Sequence, residues 1–325
     1  MSEIRAGILG TGMFVPDRVV TNDDMAKIVD TSDEWITERT GIKERRFAAD
    51  DVFTSDLATE AAKIAIANAG LTAKDIDYIL VGTASPDNSF PNTANYITKN
   101  LDVIGTPALD VSTACSGFIY CLELATSLVN SGKYRNVLAL GAETLSKITD
   151  FRDRSTCVLF GDGAGAVVIG NGGHEVIATK CYSHFNYDAL NRPSSGMRIM
   201  PSTENIEEGY QYIRMNGREV YRFVVSTCVE MLAEALESNN LKPEQIDLFI
   251  PHQANAVMLD FAKKKVGLEN ARMVININKY GNTSSASIPM ALAETVDANE
   301  IKEGELVLLM GFGGGLSSGY AIVRW

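Results

Sequence analysis

The sequence predicts an α/β protein in which one α/β unit is present twice, with mixed, mostly parallel sheets. Helical patterns alternate with short apolar strands, and this alternation is typical of parallel strands covered by helices on both faces. Residues 71–81, LTAKDIDYILV, also resemble residues 241–251, LKPEQIDLFIP. Each of these segments follows a helical pattern and ends in an apolar strand. We therefore expect two similar halves, residues 1–172 and residues 173–325.

The predicted elements follow the same order in both halves. Apolar residues at three- and four-residue spacing predict helices at 58–69 and 225–236, and short apolar and β-branched runs predict strands. The repeat continues downstream at nearly the same offset, because residues 136–143 resemble 305–312 and residues 163–169 resemble 318–324. The other predicted elements are a strand that ends before Cys115, a helix that runs to about Asn130, strands at 246–250 and 273–277, and a helix after Asn282.

Composition and charge exclude several classes of protein. The chain has 325 residues, 46% of them hydrophobic, so it can bury a large core in one or two domains. The net charge is −12 and no long basic run occurs, which argues against nucleic acid as a partner. Five cysteines without a C-x-x-C pair indicate neither a disulfide framework nor a zinc site, and they fit a reducing cytoplasm.

Neither end of the chain is expected to enter a membrane. Residues 1–7, MSEIRAG, lack the basic and apolar regions of a signal peptide. Residues 306–323 carry no charge, but their five glycines predict two strands around a turn instead of a spanning helix.

Cys115 is the residue that points most directly to chemistry. It lies in ALDVSTACSGF, residues 108–118, where a predicted strand ends and a predicted helix begins. The free N–H groups and the dipole of a helix N-terminus favour an anion, so the thiol pKa is expected to fall from about 8.5 to about 3.5–7.5. The thiolate is the nucleophilic form of cysteine. A small buried apolar residue is the alternative, and it is the more common fate of a single free cysteine.

Three features of the second half follow predicted strands. His252 follows the strand at 246–250, Asn282 follows the strand at 273–277, and the glycines 313–315 follow the strand at 305–312. Sites collect at the carboxyl ends of strands in such sheets, so a pseudo-twofold axis would make these ends face Cys115. Glycines also let backbone N–H groups approach a ligand, as an oxyanion hole requires. Taken singly, a structural histidine, a turn asparagine and a tight turn remain open alternatives.

Together and in this order, these features resemble the thiolase superfamily. The matching segments are Cys115, PHQAN at 251–255, GNTS at 281–284 and FGGG at 312–315. A Cys–His–Asn set resembles the β-ketoacyl-[acyl-carrier-protein] synthase III family in particular, and the resemblance covers nearly the whole chain. It implies a five-layer αβαβα fold, a cytoplasmic homodimer, the catalytic residues Cys115, His252 and Asn282, and an oxyanion hole made by the N–H groups of Cys115 and Gly314. Neither a metal nor a cofactor is implied, because the coenzyme A thioester is a substrate.

The implied reaction is a decarboxylative Claisen condensation. An acyl-CoA, with acetyl-CoA as the expected starter, reacts with malonyl-acyl-carrier protein to give a β-ketoacyl-carrier protein and to initiate fatty-acid synthesis. Two alternatives stay open: a specialised enzyme of secondary metabolism with an unusual starter or acyl-transfer activity, and a non-catalytic acyl-CoA-binding paralogue. Retention of Asn282 favours condensation, and a protein that only binds needs no nucleophile.

The resemblance also implies binding residues. Trp35 is expected to stack on the adenine of coenzyme A with Arg154 on the other face, since an indole and a guanidinium suit a flat base; the alternative is an exposed tryptophan on a surface helix. The expected coenzyme A and substrate residues are Trp35, Arg39, Thr40, Arg154, Gly217, Tyr221, Arg222, Ala254 and Asn255. The expected acyl-pocket residues are Leu145, Phe160 and Phe90, the last reaching into the pocket of the partner subunit.

The chain departs from the family pattern in two places. Val257 stands where relatives usually carry an arginine that helps to dock the acidic carrier protein, so a local basic patch must replace it. Residues 182–210 are also unusual and border the acyl pocket in the family, which leaves the acyl preference open. The expected docking residues are Arg222, Gln253, Ala254, Asn255, Val257, Lys264 and Lys265, with Lys263 beside them.

Overall fold

A computed structural model of the chain describes residues 4–325, so the first three residues of the segment 1–7 lie outside the described part. Helices and strands alternate, which confirms the predicted α/β class. In the first half they are β1 (Ala6–Phe14), β2 (Val19–Thr21), α1 (Asn22–Ala26), α2 (Asp33–Thr40), β3 (Glu44–Arg46), α3 (Thr54–Asn68), β4 (Tyr78–Gly82), α4 (Thr93–Asn100), β5 (Ala108–Val111), α5 (Gly117–Asn130), β6 (Asn136–Glu143), α6 (Arg154–Cys157) and β7 (Gly163–Asn171).

The second half repeats the main elements of the first, and each half also has a two-stranded ribbon. Its elements are β8 (His174–Ser183), β9 (Leu190–Asn191), α7 (Thr203–Glu207), β10 (Arg214–Met215), α8 (Gly217–Ser238), β11 (Leu248–Pro251), α9 (Ala256–Lys265), β12 (Arg272–Met273), α10 (Ile277–Tyr280), α11 (Ser287–Asp297), β13 (Leu306–Gly313) and β14 (Ser317–Arg324). The ribbons are β2–β3 in the first half and β9–β10 in the second. The strand predicted at 273–277 is wrong beyond Met273. Gln253 Oε1 accepts hydrogen bonds from the backbone N–H groups of Asn276 and Ile277, and the chain turns into α10 there.

The sheet has the same strand pattern in each half. The order is β5–β4–β6–β7–β1 in the first half and β12–β11–β13–β14–β8 in the second. Four strands of each half point the same way, and β7 or β14 runs antiparallel to its neighbours. The sheet is therefore mixed, as predicted. The division into residues 1–172 and 173–325 stays a prediction, although β7 and β8 meet at this boundary.

Five layers follow from the packing of the helices. Helices α5 and α11 contact strands of both halves, α3 packs on the first half, and α8 packs on the second half. The central core consequently draws on both halves, with Phe118, Leu122 and Ile288 packed between Leu80 and Leu309. An antiparallel pairing of Gly7 with Glu175 and of Ile8 with His174 joins the halves into one continuous sheet.

Two sharp turns occupy equivalent places in the halves. The single helical turns Ala114–Ser116 and Ser284–Ala286 precede α5 and α11, and their first residues have φ values of 46° and 49°. Each turn packs against a glycine near the end of a strand of the other half. A β-carbon on Gly313 would lie 2.6 Å from Thr113 O, and one on Gly141 would lie 2.1 Å from Ser285 O. These glycines are required for close approach of backbone to backbone.

Glu143 connects the two halves through its buried carboxylate. The carboxylate accepts hydrogen bonds from the N–H groups of Ala84 and Ser85 and from the Ser85 hydroxyl at 2.6 Å, all in the loop after β4. From the second half, the Ser285 hydroxyl lies 2.8 Å from Oε1. Burial raises the pKa of Glu143, while these hydrogen bonds lower it. The backbone N–H groups of this network can only donate, whereas the Ser285 hydroxyl has one proton for both Glu143 and Gly82 O, which lies 2.7 Å away.

We expect Glu143→Gln to lower the free energy of unfolding by about 3 kcal/mol, because its NH₂ group would face fixed backbone N–H donors in a buried site. Urea unfolding followed by circular dichroism measures this change. Glu230→Gln, on the exposed surface of α8, is the control and should stay within about 0.5 kcal/mol of the parent protein. Equal stability of the two variants would contradict the assignment of Glu143 as the connection between the halves.

Candidate active site

Cys115 is held at the centre of the first sharp turn. β5 ends at Val111, and the Ser116 hydroxyl lies 2.8 Å from both Thr113 O and Ser317 Oγ, which ties the turn to β14. The side chain lies at the N-terminus of α5, as the sequence predicts, but the residue is only 8% exposed. The turn therefore presents the thiol to an enclosed space.

The thiol pKa moves in the opposite direction to the prediction. Burial raises the pKa of Cys115 to about 12, and the negative charge of Glu143 raises it further, while the nearby Ser284 hydroxyl lowers it. Because no cation among residues 4–325 offsets this burial, Cys115 is a neutral thiol in the free protein at neutral pH.

His252 is placed and oriented by a serine on α11. Its backbone N–H donates to Met310 O at 2.8 Å, and its Nδ1 lies 2.6 Å from Ser287 Oγ. Ser287 Oγ also accepts from the N–H of Gln253, and among residues 4–325 Nδ1 is the one acceptor within hydrogen-bond distance of its own proton. This network assigns the tautomer with the proton on Nε2. Burial lowers the pKa of His252 to about 3, so the ring is a neutral donor at neutral pH.

Asn282 is oriented in a comparable way. Its Oδ1 accepts the backbone N–H of Ser284 at 2.8 Å, so the NH₂ group is left to donate. Its backbone N–H donates to Leu159 O, and its carbonyl accepts the N–H of Gly161. The side chain is thereby fixed as a hydrogen-bond donor, like that of His252.

The structure brings Cys115, His252 and Asn282 into one cavity of about 330 Å³. Several predicted binding residues line the same cavity, which opens toward α2, α8 and α9. They are Arg39, Gly217, Tyr221, Ala254, Asn255 and Val257. Residues on or next to α2, α8 and α9 therefore line the same cavity as the thiol. The roles of these residues in binding stay predictions.

A second cavity, of about 270 Å³, meets the first at Cys115, Phe160 and Leu190. The predicted pocket residue Leu145 and the predicted oxyanion residue Gly314 line it as well. Phe90 does not, and it stands 87% exposed on the surface of the protein. Within one chain the acyl pocket therefore lacks this predicted residue, whose expected place is in a partner subunit.

Trp35 lies between two arginines. The guanidinium carbon of Arg154 is 4.3 Å from the centre of the indole ring, and that of Arg39 is 5.0 Å away. Ser32 caps α2 by accepting the N–H of Trp35, which fixes the start of that helix. An adenine stacked between Trp35 and Arg154 therefore requires this pair to open.

Two of the predicted binding residues have buried side chains. The Thr40 hydroxyl donates to Ile36 O at 2.6 Å and accepts the N–H of Ile42. Gln253 is 1% exposed and uses its amide on Pro251 O, Val274 O and the start of α10. Both side chains hold the local backbone in place, and their roles toward coenzyme A and a carrier protein stay predictions.

The predicted docking cations are exposed but not all free. Arg222 pairs with Glu219 at 3.0 Å within α8. Lys264 pairs with Asp260 at 2.7 Å within α9. Lys265 is exposed, and Val257 and Phe261 form an apolar face on α9. The first-half cation Arg39 faces the cavity opening from α2.

Sequence reasoning missed four residues that shape the site: Glu143, Ser284, Ser287 and Arg192. Glu143 ends an apolar strand, and an acid in that position is a signal that could have drawn attention. Ser284 and Ser287 lie among small residues whose burial no local pattern reveals. Arg192 belongs to the unusual segment 182–210, and its place in the second cavity depends on tertiary structure.

In residues 4–325, no group of three or more His, Cys, Asp or Glu side chains is arranged to hold a metal ion. Over the same residues, no helix combines the length and apolar character needed to cross a membrane.

Comparisons with known proteins agree with this geometry. Residues 109–184 match the family described as 3-oxoacyl-[acyl-carrier-protein] synthase III, and residues 236–325 match the C-terminal region of that family. The chain is 47% identical to the β-ketoacyl-[acyl-carrier-protein] synthase III of Caldanaerobacter subterraneus subsp. tengcongensis, over 99% of this chain and 98% of the relative. The corresponding Listeria monocytogenes protein is 45% identical over 99% of each chain.

The crystal structure of 3-oxoacyl-[acyl-carrier-protein] synthase III from Aquifex aeolicus is 44% identical to the chain and superimposes with a TM-score of 0.91, covering 98% of this chain and 100% of that one. This match confirms the predicted thiolase-like fold. The chain is an acyltransferase, and it belongs to the β-ketoacyl-[acyl-carrier-protein] synthase III family.

Proposed function

We propose that the protein condenses an acyl-CoA with malonyl-acyl-carrier protein, with loss of CO₂, and so initiates fatty-acid synthesis in the cytoplasm. The resemblance gives acetyl-CoA as the expected starter. The observation that carries the proposal is the convergence of one thiol and two oriented neutral donors, His252 Nε2 and Asn282 Nδ2, on a single cavity.

The first half-reaction transfers the acyl group to Cys115. The sulfur attacks the thioester carbon, the bond to the coenzyme A sulfur breaks, and the proton of Cys115 leaves with coenzyme A as its thiol. No net charge then has to remain in the buried site, which suits a thiol whose pKa is raised. The N–H groups of Cys115 and Gly314 hold the oxyanion of the tetrahedral intermediate.

The second half-reaction uses His252 and Asn282. Both donate to the thioester oxygen of the malonyl group, where negative charge develops as CO₂ departs and an enolate forms. A neutral imidazole is suited to this task, because it stabilises a charge that exists only in and near the transition state. The enolate carbon attacks the acyl-cysteine, and the Cys115 sulfur leaves and takes a proton from solvent.

Coenzyme A binding is assigned to the surface around Trp35. Arg154 Nε is buried without a hydrogen-bond partner among the described residues, so this guanidinium has donors available for a nucleotide. Stacking of adenine on Trp35 would replace the cation–π contact with Arg154. The carrier protein docks at the same opening, where the apolar Val257 and Phe261 accompany Lys265 and Arg39. Val257 in place of arginine makes this contact less electrostatic.

We assign a homodimer to the working protein. The side chain of Phe90 is almost fully exposed, and aromatic residues are enriched where protein surfaces meet. Insertion of Phe90 into the second cavity of a partner would close that cavity around the acyl chain.

The product on the carrier protein tests the function. Purified protein is incubated with malonyl-carrier protein and a panel of acyl-CoAs, and the carrier is weighed by intact-mass spectrometry. We expect a β-ketoacyl-carrier protein. Acylation of Cys115 without a condensed product from any thioester would favour an acyl transfer to another acceptor.

His252→Ala and Asn282→Ala should separate the two half-reactions. We expect each variant to lose about 10²–10³-fold in condensation rate, because each removes one donor from the developing oxyanion. Transfer of the acyl group from acyl-CoA to Cys115 should persist in both variants and be absent in Cys115→Ala. His184→Ala, an exposed histidine outside both cavities, is the matched control. Loss of acylation in the His252 variant would show that His252 acts in the first step instead.

The reactivity of free Cys115 should rise steadily with pH. With a thiol pKa of about 12, the thiolate fraction grows about tenfold per pH unit below that value, so alkylation by iodoacetamide should accelerate from about pH 7 to about pH 10 without a plateau. Peptide mass spectrometry locates the label, with Cys115→Ser giving the background. A plateau already reached near neutral pH would mean that the helix N-terminus dominates over burial.

A further inference from the structure

The second cavity contains a cation. Apolar Leu145, Ile148, Phe160 and Ile213 line this space beside Cys115, and Arg192 lines it together with the uncharged polar residues Ser112, Asn191, Ser195 and Ser284. A pocket that holds only a short hydrocarbon chain needs no charged residue, and charges in apolar surroundings normally have a partner.

The local structure fixes Arg192 in this position. It directly follows β9, which pairs with β10 so that Leu190 lies opposite Met215. The Arg192 Nε–H donates to Gln211 O at 2.7 Å, and the Arg192 carbonyl accepts the Ser195 hydroxyl at 2.7 Å. Both ends of the residue are therefore held, and the Nη groups are the donors left for a ligand.

Arg192 has no counterion within residues 4–325. No ion pair there includes it, and none of the described residues that line the cavity is an aspartate or a glutamate. Partial burial lowers the pKa of the Arg192 guanidinium, as expected for a cation that loses water without gaining an anion. Two parallel N–H donors of a guanidinium match the two oxygens of a carboxylate.

We propose that Arg192 binds a carboxylate carried by the acyl chain, so that the preferred starter is an acyl-CoA derived from a dicarboxylic acid. This inference rests on the proposed function and replaces acetyl-CoA by a larger, anionic starter. The cavity of about 270 Å³ has room for such an acyl chain, because its volume is many times the roughly 30 Å³ that one water molecule occupies in the liquid. The chemistry is unchanged: thioester exchange releases coenzyme A as its thiol, and the distal carboxylate is retained in the β-ketoacyl product.

Matched pairs of thioesters test this proposal. Succinyl-CoA is compared with 4-methylpentanoyl-CoA, and glutaryl-CoA with 5-methylhexanoyl-CoA, because an isopropyl group has nearly the shape of a carboxylate without its charge. Acetyl-CoA is included as the short starter. The readouts are the rate of Cys115 acylation by intact mass and kcat/KM for condensation. We expect the parent protein to use at least one dicarboxylic thioester at least about tenfold better than its neutral counterpart.

Arg192→Met should reverse this preference. We expect kcat/KM for the dicarboxylic thioester to fall about 30-fold or more, because this is the lower bound for removing one partner of a buried charged pair. The kcat/KM for the neutral thioester should stay equal or rise. Arg192→Lys keeps the charge and should retain part of the preference. Arg198→Met, an exposed arginine on the same segment, is the control and should change neither value. Thermal melting verifies that each variant folds.

The outcomes separate this inference from the proposed function. Condensation of neutral thioesters with rejection of the dicarboxylic ones would overturn the role of Arg192 and leave the condensation intact. No acylation of Cys115 by any thioester would overturn the condensation itself. If Arg192→Met changed the oligomeric mass in light scattering and left the substrate preference unaltered, Arg192 would be a contact between copies of the chain, and the proposal would fail.

Discussion

The buried carboxylate of Glu143 is the constraint on which the geometry of the site depends. It stands at the end of β6, and it binds the loop after β4 on one side and the Ser285 turn on the other. The same turn contains Ser284, whose N–H orients Asn282. This group holds together parts of the chain that are more than a hundred residues apart. Its negative charge also reaches Cys115 and disfavours a second anion there.

The groups that would react are neutral in the resting site, which suits a reaction that stores no charge at rest. Cys115 and His252 are both neutral because burial raises the pKa of one and lowers the pKa of the other. A thiolate–imidazolium pair would require two buried ions, whereas a thiol and a neutral Nε2–H donor require none. Charge then appears only as substrate reacts, at the positions where fixed donors point. The fixed donors would therefore stabilise the transition state more than the resting enzyme.

The class of fold and the three central residues could be predicted from the sequence because they depend on periodicity and on motifs at strand ends. The repeat of 71–81 in 241–251 anticipated the two matching sets of strands, β4 and β11 among them. The thiol pKa could not be predicted, because it depends on how much water is excluded around Cys115. The inward hydrogen bonds of Thr40 and Gln253 could not be predicted for a related reason: no local pattern shows that a polar side chain in a motif turns toward the backbone. Arg192 lies beside the β9–β10 ribbon, and its place in the second cavity depends on how that ribbon packs.

The duplication places the same sharp backbone turn in both halves, and the two copies of the turn serve different purposes. Ala114–Ser116 and Ser284–Ala286 have the same shape, and each is packed against a glycine of the opposite half. Cys115 and Ser285 occupy the same place in the two turns. Cys115 lines both cavities. The Ser285 hydroxyl instead lies 2.7 Å from Gly82 O and 2.8 Å from Glu143, so its hydrogen bonds are made inside the protein. One copy thus presents the thiol that we propose as the nucleophile, and the other contacts the carboxyl group that holds the surroundings of this thiol in place. Because each turn rests on the other half, a change in either half alters the geometry at Cys115.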